Sequence, residues 1–292
     1  MITIPTPKDF NFEHTLSFLK RSPKEVLHRV EGDTVLKALV MNEQPVVVAI
    51  THHDGALRAE ANRGDLTVSE KDFVTQYVRE WFDLDTNMEP FYKLMAKDEL
   101  LGPLVKAYRG YRIVGQPDLF ESLVWAVLGQ QINLAFAYTL KGRFVESFGK
   151  AVDWRGVPYF VFPEAKVVSE IKPEQLLALQ FSRQKAAYTI NIAQAFLDNQ
   201  VSKEKLRGMT LEEAKAELTR IKGVGNWTAN YALMKTFRYA DAFPLEDAGL
   251  HNAIRQQLGL KTKPSLDRVK KIFRKYKGWE AYATLYLWKS LK

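Results

Sequence analysis

The hydrophobic period changes once along this chain, near residue 70, and that change limits the folds open to it. Before it, Val35–Met41, Val46–Ile50 and Ala56–Ala61 alternate or run apolar over strand-like lengths. They are separated by Asn42–Pro45 and His52–Gly55. Asp54–Gly55 supplies a two-residue turn whose positive φ glycine tolerates. Connections this short join antiparallel neighbours, because a parallel pair needs a crossover of roughly a dozen residues. Phe12–Leu19 reads as a helix at the side of this meander.

Beyond residue 70 the pattern is helical. Pro117 and Asp118 open the segment Leu119–Leu128, with Glu121 placed to complete a capping box, and Gly129 is placed to end it. A second helix starts near Asn133, and further helical spacing falls at about 173–180, 183–198, 210–221, 226–238, 248–258, 265–277 and 279–290. Thr210 with Glu213 forms another capping box, and Gly208, Gly259 and Gly278 stand where helices should end. Residues 151–163, with Trp154, Gly156, Pro158 and Pro163, read as a loop. The fold class is therefore α+β, an antiparallel sheet with a helix followed by an all-α part. The boundaries drawn are 1–95 for the sheet domain and 96–292 for the helical part. The helical part divides into 118–238 and a second subdomain made of 96–117 plus 239–292.

Composition removes several function classes. A chain of 292 residues with 46% hydrophobic and 26% charged residues builds one large or two ordinary domains. It has no cysteine, which excludes disulfides, thiolate zinc sites and cysteine-held iron–sulfur clusters. No zinc-like spacing of His, Asp and Glu, no P-loop and no dinucleotide fingerprint is present. No apolar run reaches the roughly 18 residues that span a bilayer, and Met1–Lys8 lacks a signal-peptide pattern. Cytoplasmic, nucleoid-associated residence is expected. The charge is uneven. Residues 1–100 hold 12 Lys/Arg against 17 Asp/Glu, and the remainder holds 30 against 17, so the basic part suits a polyanion.

Within that basic part, Ile221–Ala229 places Gly223 and Gly225 around Val224 between two helical segments. The two glycines allow a tight reversal with outward amides, and the helix opening near Asn226 adds free N–H groups at the positive end of its dipole. Such a site grips a phosphate without reading a base. A plain inter-helix turn would use the same residues. Glu246 and Asp247 follow downstream. A carboxylate there can stabilise developing positive charge or activate water. Asp247 would equally serve as the N-cap of the next helix.

These residues carry a resemblance. Ile221–Tyr231 followed by Ala242–Leu250 resembles the helix–hairpin–helix DNA glycosylase superfamily, and within it the AlkA-type 3-methyladenine DNA glycosylase II family. Leu119–Leu134 with Ala126–Gln131, Phe181–Ala186 and Trp279–Trp288 are similar to three more of its segments, so the likeness runs over roughly residues 105–292. It implies an N-glycosylase that flips out and hydrolyses alkylated bases of the 3-methyladenine and 7-methylguanine class from damaged double-stranded DNA, acting as a monomer. Asp247 is implied as the catalytic carboxylate. Trp227, Tyr231, Trp288 and Phe18 are implied around the base, and Gln131, Gly223, Val224, Gly225, Asn226 and Thr228 on the DNA. No cofactor is required, although Na+ or K+ can bridge the hairpin to DNA through the carbonyls of Thr219, Ile221 and Val224.

The resemblance also implies a branch. Strand-cleaving members carry a lysine where Trp227 stands, which favours a simple hydrolase and leaves Lys222 and Lys235 as imperfect substitutes. Two departures bear on selectivity. Gln131 replaces an intercalating leucine, and Ala248 follows the aspartate where a tyrosine is known. The alternatives are a glycosylase for oxidised or deaminated bases and a non-catalytic DNA-structure-binding protein.

Overall fold

A computed structural model describes residues 1–291. The sheet domain contains β1 (Ile2–Pro5), α1 (Phe12–Leu19), β2 (Arg29–Glu31), β3 (Thr34–Met41), β4 (Gln44–His53), β5 (Ala56–Ala61) and α2 (Val68–Trp81). Its five strands lie in the order β1-β5-β4-β3-β2, all antiparallel. The three expected strands and the helix are present. The expected pattern lacks β1 and β2, which are only four and three residues long. The turn Asp54–Gly55 has φ of 50° and 71°, the geometry two-residue hairpins prefer.

Period-two alternation decides what each face of the sheet meets. Val35, Leu39, Val46, Val48 and Ile50 pack under α1 and α2 against Leu16, Val74, Val78 and Trp81. Leu36, Ala38 and Val47 point the other way and are covered by Tyr159. That cover corrects the reading of residues 151–163 as a loop. β6 (Ala151–Trp154) and β7 (Val157–Phe160) form a hairpin, turned by Arg155 and Gly156 at φ 58° and 73°. Its alternate residues are apolar because they seal the outer face of a sheet that would otherwise expose valines.

The helical part follows as α3 (Glu89–Met95), α4 (Gly102–Ala107), α5 (Leu119–Gly129), α6 (Leu134–Phe148), α7 (Ala165–Ser169), α8 (Pro173–Ala178), α9 (Arg183–Leu197), α10 (Lys203–Leu206), α11 (Leu211–Thr219), α12 (Asn226–Phe237), α13 (Ala248–Gln257), α14 (Leu266–Phe273), a short 3₁₀ turn (Arg274–Tyr276) and α15 (Glu280–Lys289). α5 is buried from Leu119 to Leu128, and such all-round apolarity belongs to a central helix. The Asp118 carboxylate caps it through the Glu121 amide at 2.8 Å. Glu121 does not close the box, because its side chain turns to Gln116 instead. Both halves of the Thr210–Glu213 box are made.

The stretch after α1 straps the sheet domain to α6. Arg21 bonds the Tyr138 hydroxyl, Lys24 donates to Thr139 at 2.7 Å and Glu25 pairs with Lys141 at 2.5 Å. Among the described residues, no helix is long and apolar enough to cross a membrane.

Candidate active site and nucleic-acid interface

The hairpin begins where α11 ends. Ile221 and Val224 are buried and pin it to the core. Gly223 has φ 107°, and a Cβ there would lie 2.3 Å from a Tyr188 ring carbon, so the reversal needs glycine at this position. Gly225 differs from the expectation that both glycines serve the reversal. Its φ of −88° and ψ of −179° are open to any residue, and nothing lies within 4 Å of an added Cβ. It stands as the N-cap of α12 without a capping side chain, so the amides of Asn226, Trp227 and Thr228 face outward without intrahelical acceptors. Space for a backbone to approach is what an unsubstituted position 225 provides.

Side chains on this turn divide between inside and outside. Asn226 is exposed and donates to Glu246 Oε1 at 3.0 Å. Thr228, expected on the DNA side, is buried, and its hydroxyl accepts from Gln130 Nε2 at 3.0 Å. Only its amide can face a ligand. The carbonyl of Ile221 accepts the Val224 amide at 3.0 Å, while those of Thr219 and Val224 take no such loop bond.

Asp247 sits at the start of α13 and meets three donors. Trp288 Nε1 and the Leu250 amide donate to Oδ1 at 2.8 Å and 2.7 Å, and Trp227 Nε1 donates to Oδ2 at 3.2 Å. The carboxylate is thus an N-cap and is also aimed by two indoles. Gly249 makes this possible, since a Cβ there would stand 3.0 Å from Oδ1 and 3.3 Å from Trp288 Nε1. Glu246 is exposed and engages Asn226 rather than the indoles.

The aromatic residues converge on the same place. Trp227 and Tyr231, one helical turn apart on α12, stack at 5.4 Å and 25°, and Tyr231 lies 6.3 Å from Trp288. The Trp125 indole donates to the Tyr231 hydroxyl at 3.0 Å, and burial pushes that phenol up to about 12, so it stays neutral. Behind Tyr231 lies a cavity of about 40 Å³ lined by Phe18, Arg21, Trp125, Tyr138 and Lys235 among others. Phe18, expected around the base, lines this cavity, which Trp227, Trp288 and Asp247 do not, and its ring carries the Arg21 guanidinium at 3.9 Å and the Lys235 ammonium at 4.8 Å. Lys235 is buried and donates to the Val114 carbonyl, which commits its amine to the fold.

Gln131 occupies the turn between α5 and α6, exposed and in the left-handed region at φ 56°. Lys185 of α9 holds this turn by donating to the carbonyls of Val127, Leu128 and Gln130 at 2.8, 2.8 and 2.6 Å. Desolvation lowers its amine to about 8. Trp125, Gln130, Lys185 and Gly249 were not singled out from the sequence. Each lies inside a segment that carries the family resemblance, Leu119–Leu134, Phe181–Ala186 or Ala242–Leu250, but its own role rests on a contact that the segment alone does not show.

A grip made of outward amides beside a caged carboxylate and an aromatic recess defines a protein that works on a base drawn out of a nucleic acid. Residues 124–278 match the HhH-GPD superfamily of base excision DNA repair proteins and residues 1–118 match the AlkA N-terminal domain, and the chain belongs to that superfamily. It is a DNA glycosylase of the AlkA type. It is 36% identical to a DNA-3-methyladenine glycosylase of Bacillus subtilis (strain 168), over all of this chain and 97% of that protein. It is 31% identical to DNA-3-methyladenine glycosylase 2 of Escherichia coli (strain K12), over 64% of this chain and 63% of that one. The solved 3-methyladenine DNA-glycosylase from Archaeoglobus fulgidus superposes with a TM-score of 0.86 at 25% identity, covering 100% of both chains.

Proposed function

We propose that this chain is a monofunctional hydrolase that excises alkylated purines of the 3-methyladenine and 7-methylguanine class from double-stranded DNA and leaves an abasic site. The observation that carries this reading is the Asp247 carboxylate held by the indoles of Trp227 and Trp288, with no amine at position 227. Departure of the base builds positive charge on the sugar. A carboxylate already oriented in a half-enclosed site stabilises that charge without reorganising. The same carboxylate can take a proton from the attacking water. An alkylated purine leaves as a neutral molecule from a cationic nucleoside, so the reaction needs little acid, and the site offers aromatic faces instead.

In this reading the hairpin amides hold the phosphate backbone, Gln131 enters the space left by the flipped nucleotide, and the cleft between two helical subdomains receives the base. A monovalent cation on the carbonyls of Thr219, Ile221 and Val224 belongs to the same proposal, as does action as a monomer. The names of the relatives support the lesion class. The test is incubation with methylated duplex DNA and identification of the bases released. Release of 3-methyladenine and 7-methylguanine is expected. Release of oxidised or deaminated bases alone would overturn the lesion class.

A further inference from the structure

The cationic excess of this chain has an address, and it lies beyond the hairpin. Residues 255–277 contain nine of the 42 Lys/Arg and one of the 34 Asp/Glu, so their net charge equals the +8 of the whole chain and everything else is neutral. All nine cations are exposed. Among the described residues only Lys275 has an acidic partner, Asp98. Holding so many like charges together is unfavourable unless a polyanion meets them.

Their place in the fold ties them to the site. The apolar side of α14, Val269 and Phe273, is buried, and Phe273 stacks on Phe243 at 4.5 Å and 17°. Phe243 opens the loop that ends at Asp247, and its amide donates to Asn230 of α12 at 3.0 Å. His251 fastens the other end, with its ring nitrogens 2.8 Å from the Leu245 carbonyl and 3.1 Å from the Pro264 carbonyl. The carboxylate loop is therefore clamped between α12, whose N-terminus is the hairpin grip, and the loop-plus-helix that carries the cations. The exposed side of α14 presents Arg268, Lys270 and Lys271, with Arg274 at the start of the 3₁₀ turn after it and Lys261 and Lys263 on the loop before it.

We propose that residues 261–274 form a second phosphate-backbone grip, across the carboxylate loop from the hairpin, that holds one flank of the duplex beyond the lesion. This rests on the reading of the protein as a DNA glycosylase. Two grips on either side of the reacting nucleotide let the protein pull the backbone while the base leaves the stack. A duplex is the occupant argued for, because the exposed cations sit on elements fastened to the Asp247 loop through His251 and Phe273, and point charges of this kind bind phosphates without reading bases.

The experiment compares the protein with the Lys261→Gln/Lys263→Gln/Lys270→Gln/Lys271→Gln variant on a duplex carrying an abasic-site analogue. Affinity is measured against salt concentration. Loss of two to four phosphate contacts should reduce the log–log salt slope by about 0.9 for each, so by roughly 2 to 4. Two further duplexes, each lacking one flank, locate the contact, and the variant's deficit should vanish on one of them and persist on the other. An unchanged slope on the full duplex, or an equal deficit on both truncated ones, overturns the proposal. The variant's Tm should match that of the unsubstituted protein, since all four side chains are exposed, so a changed slope reports on the contact and not on the fold. If the unsubstituted protein excises nothing, the glycosylase reading fails instead, while the slopes still report on the grip.

Discussion

Trp288 donates its indole N–H to Asp247 Oδ1 at 2.8 Å, and the same oxygen takes the Leu250 amide at 2.7 Å. Oδ2 has only Trp227 at 3.2 Å and is the freer oxygen for a sugar cation or a water. Asp247→Asn should bind DNA normally and lose roughly 10²–10³-fold in single-turnover excision, the scale for one aimed electrostatic partner. Activity within about threefold of the unsubstituted protein would remove Asp247 from the reaction. Glu246→Gln should be much milder, because Glu246 lies outside the indole cage.

Trp288→Phe separates aiming from stacking. The ring face remains while the hydrogen bond to a charged group goes, a loss of about 1.5–3 kcal/mol if it is fully expressed in the transition state. The excision rate should drop at least about tenfold with KM little changed. An equal rise in KM would mean that the indole acts mainly by holding the base.

The hairpin glycines should respond differently. Gly223→Ala forces a Cβ into Tyr188 and should lower Tm by several degrees, whereas Gly225→Ala meets open space and should fold normally. Gly225→Asp should weaken binding to damaged and undamaged duplexes alike, by placing negative charge at the phosphate grip. A change in lesion preference with nonspecific affinity intact would refute the grip.

The product should be an intact strand with an abasic site. An imine needs an accessible amine, Trp227 has none, and Lys235 is buried against Val114. Borohydride should trap no covalent complex, and breaks should appear only after alkali or heat. A trapped adduct that disappears in Lys222→Ala would identify a relocated amine.

The seam between sheet domain and α6 should be acid-labile. Burial lowers His28 to about 4 although Glu25 lies near it, with Lys37 and Lys141 adding to the fall and the Leu19 carbonyl opposing it. Unfolded, it titrates near 6.5. The unfolded state therefore binds the extra proton between these values, and stability present above about pH 6.5 is lost as pH falls toward 4, up to roughly 3 kcal/mol. Burial would raise Glu25, but the Lys141 ammonium, His28 and the Leu27 amide together outweigh it and hold the carboxyl at about 2, so a second loss follows between 4.5 and 2. Denaturant midpoints across pH 7 to 4 should decline, and His28→Gln should flatten that decline. An unchanged slope in the variant would assign the acid response elsewhere.

Strong local periodicity made most of the helical part legible. α9, α11, α12 and α13 end within one or two residues of where caps and glycines put them, because capping chemistry is local. β6 and β7 were not legible. Four-residue strands interrupted by Pro158 look like a loop until the outer face of the sheet gives them something to cover. At the site, the run Ile221–Tyr231 and Asp247 announced residues that lie within hydrogen-bond or stacking reach of one another. Gly225 was read too generously, since two glycines flanking a valine look alike in sequence while only Gly223 is left-handed. The individual roles of Trp125, Lys185 and Gly249 were not legible, although their segments were, because Trp125 and Lys185 act across 106 and 55 to 58 residues of chain and Gly249 acts by leaving room for the Trp288 indole on Asp247.

Gln131 is held at φ 56° by a turn whose carbonyls are locked to Lys185 before any DNA arrives. A residue with a side chain is strained in that conformation, and the strain is settled during folding. The entropy of shaping this turn is then absent from the encounter with the duplex. If Gln131 is the residue that meets the duplex, as proposed, the turn arrives already shaped, and the cost of opening the stack falls on the DNA rather than on a loop waiting to order.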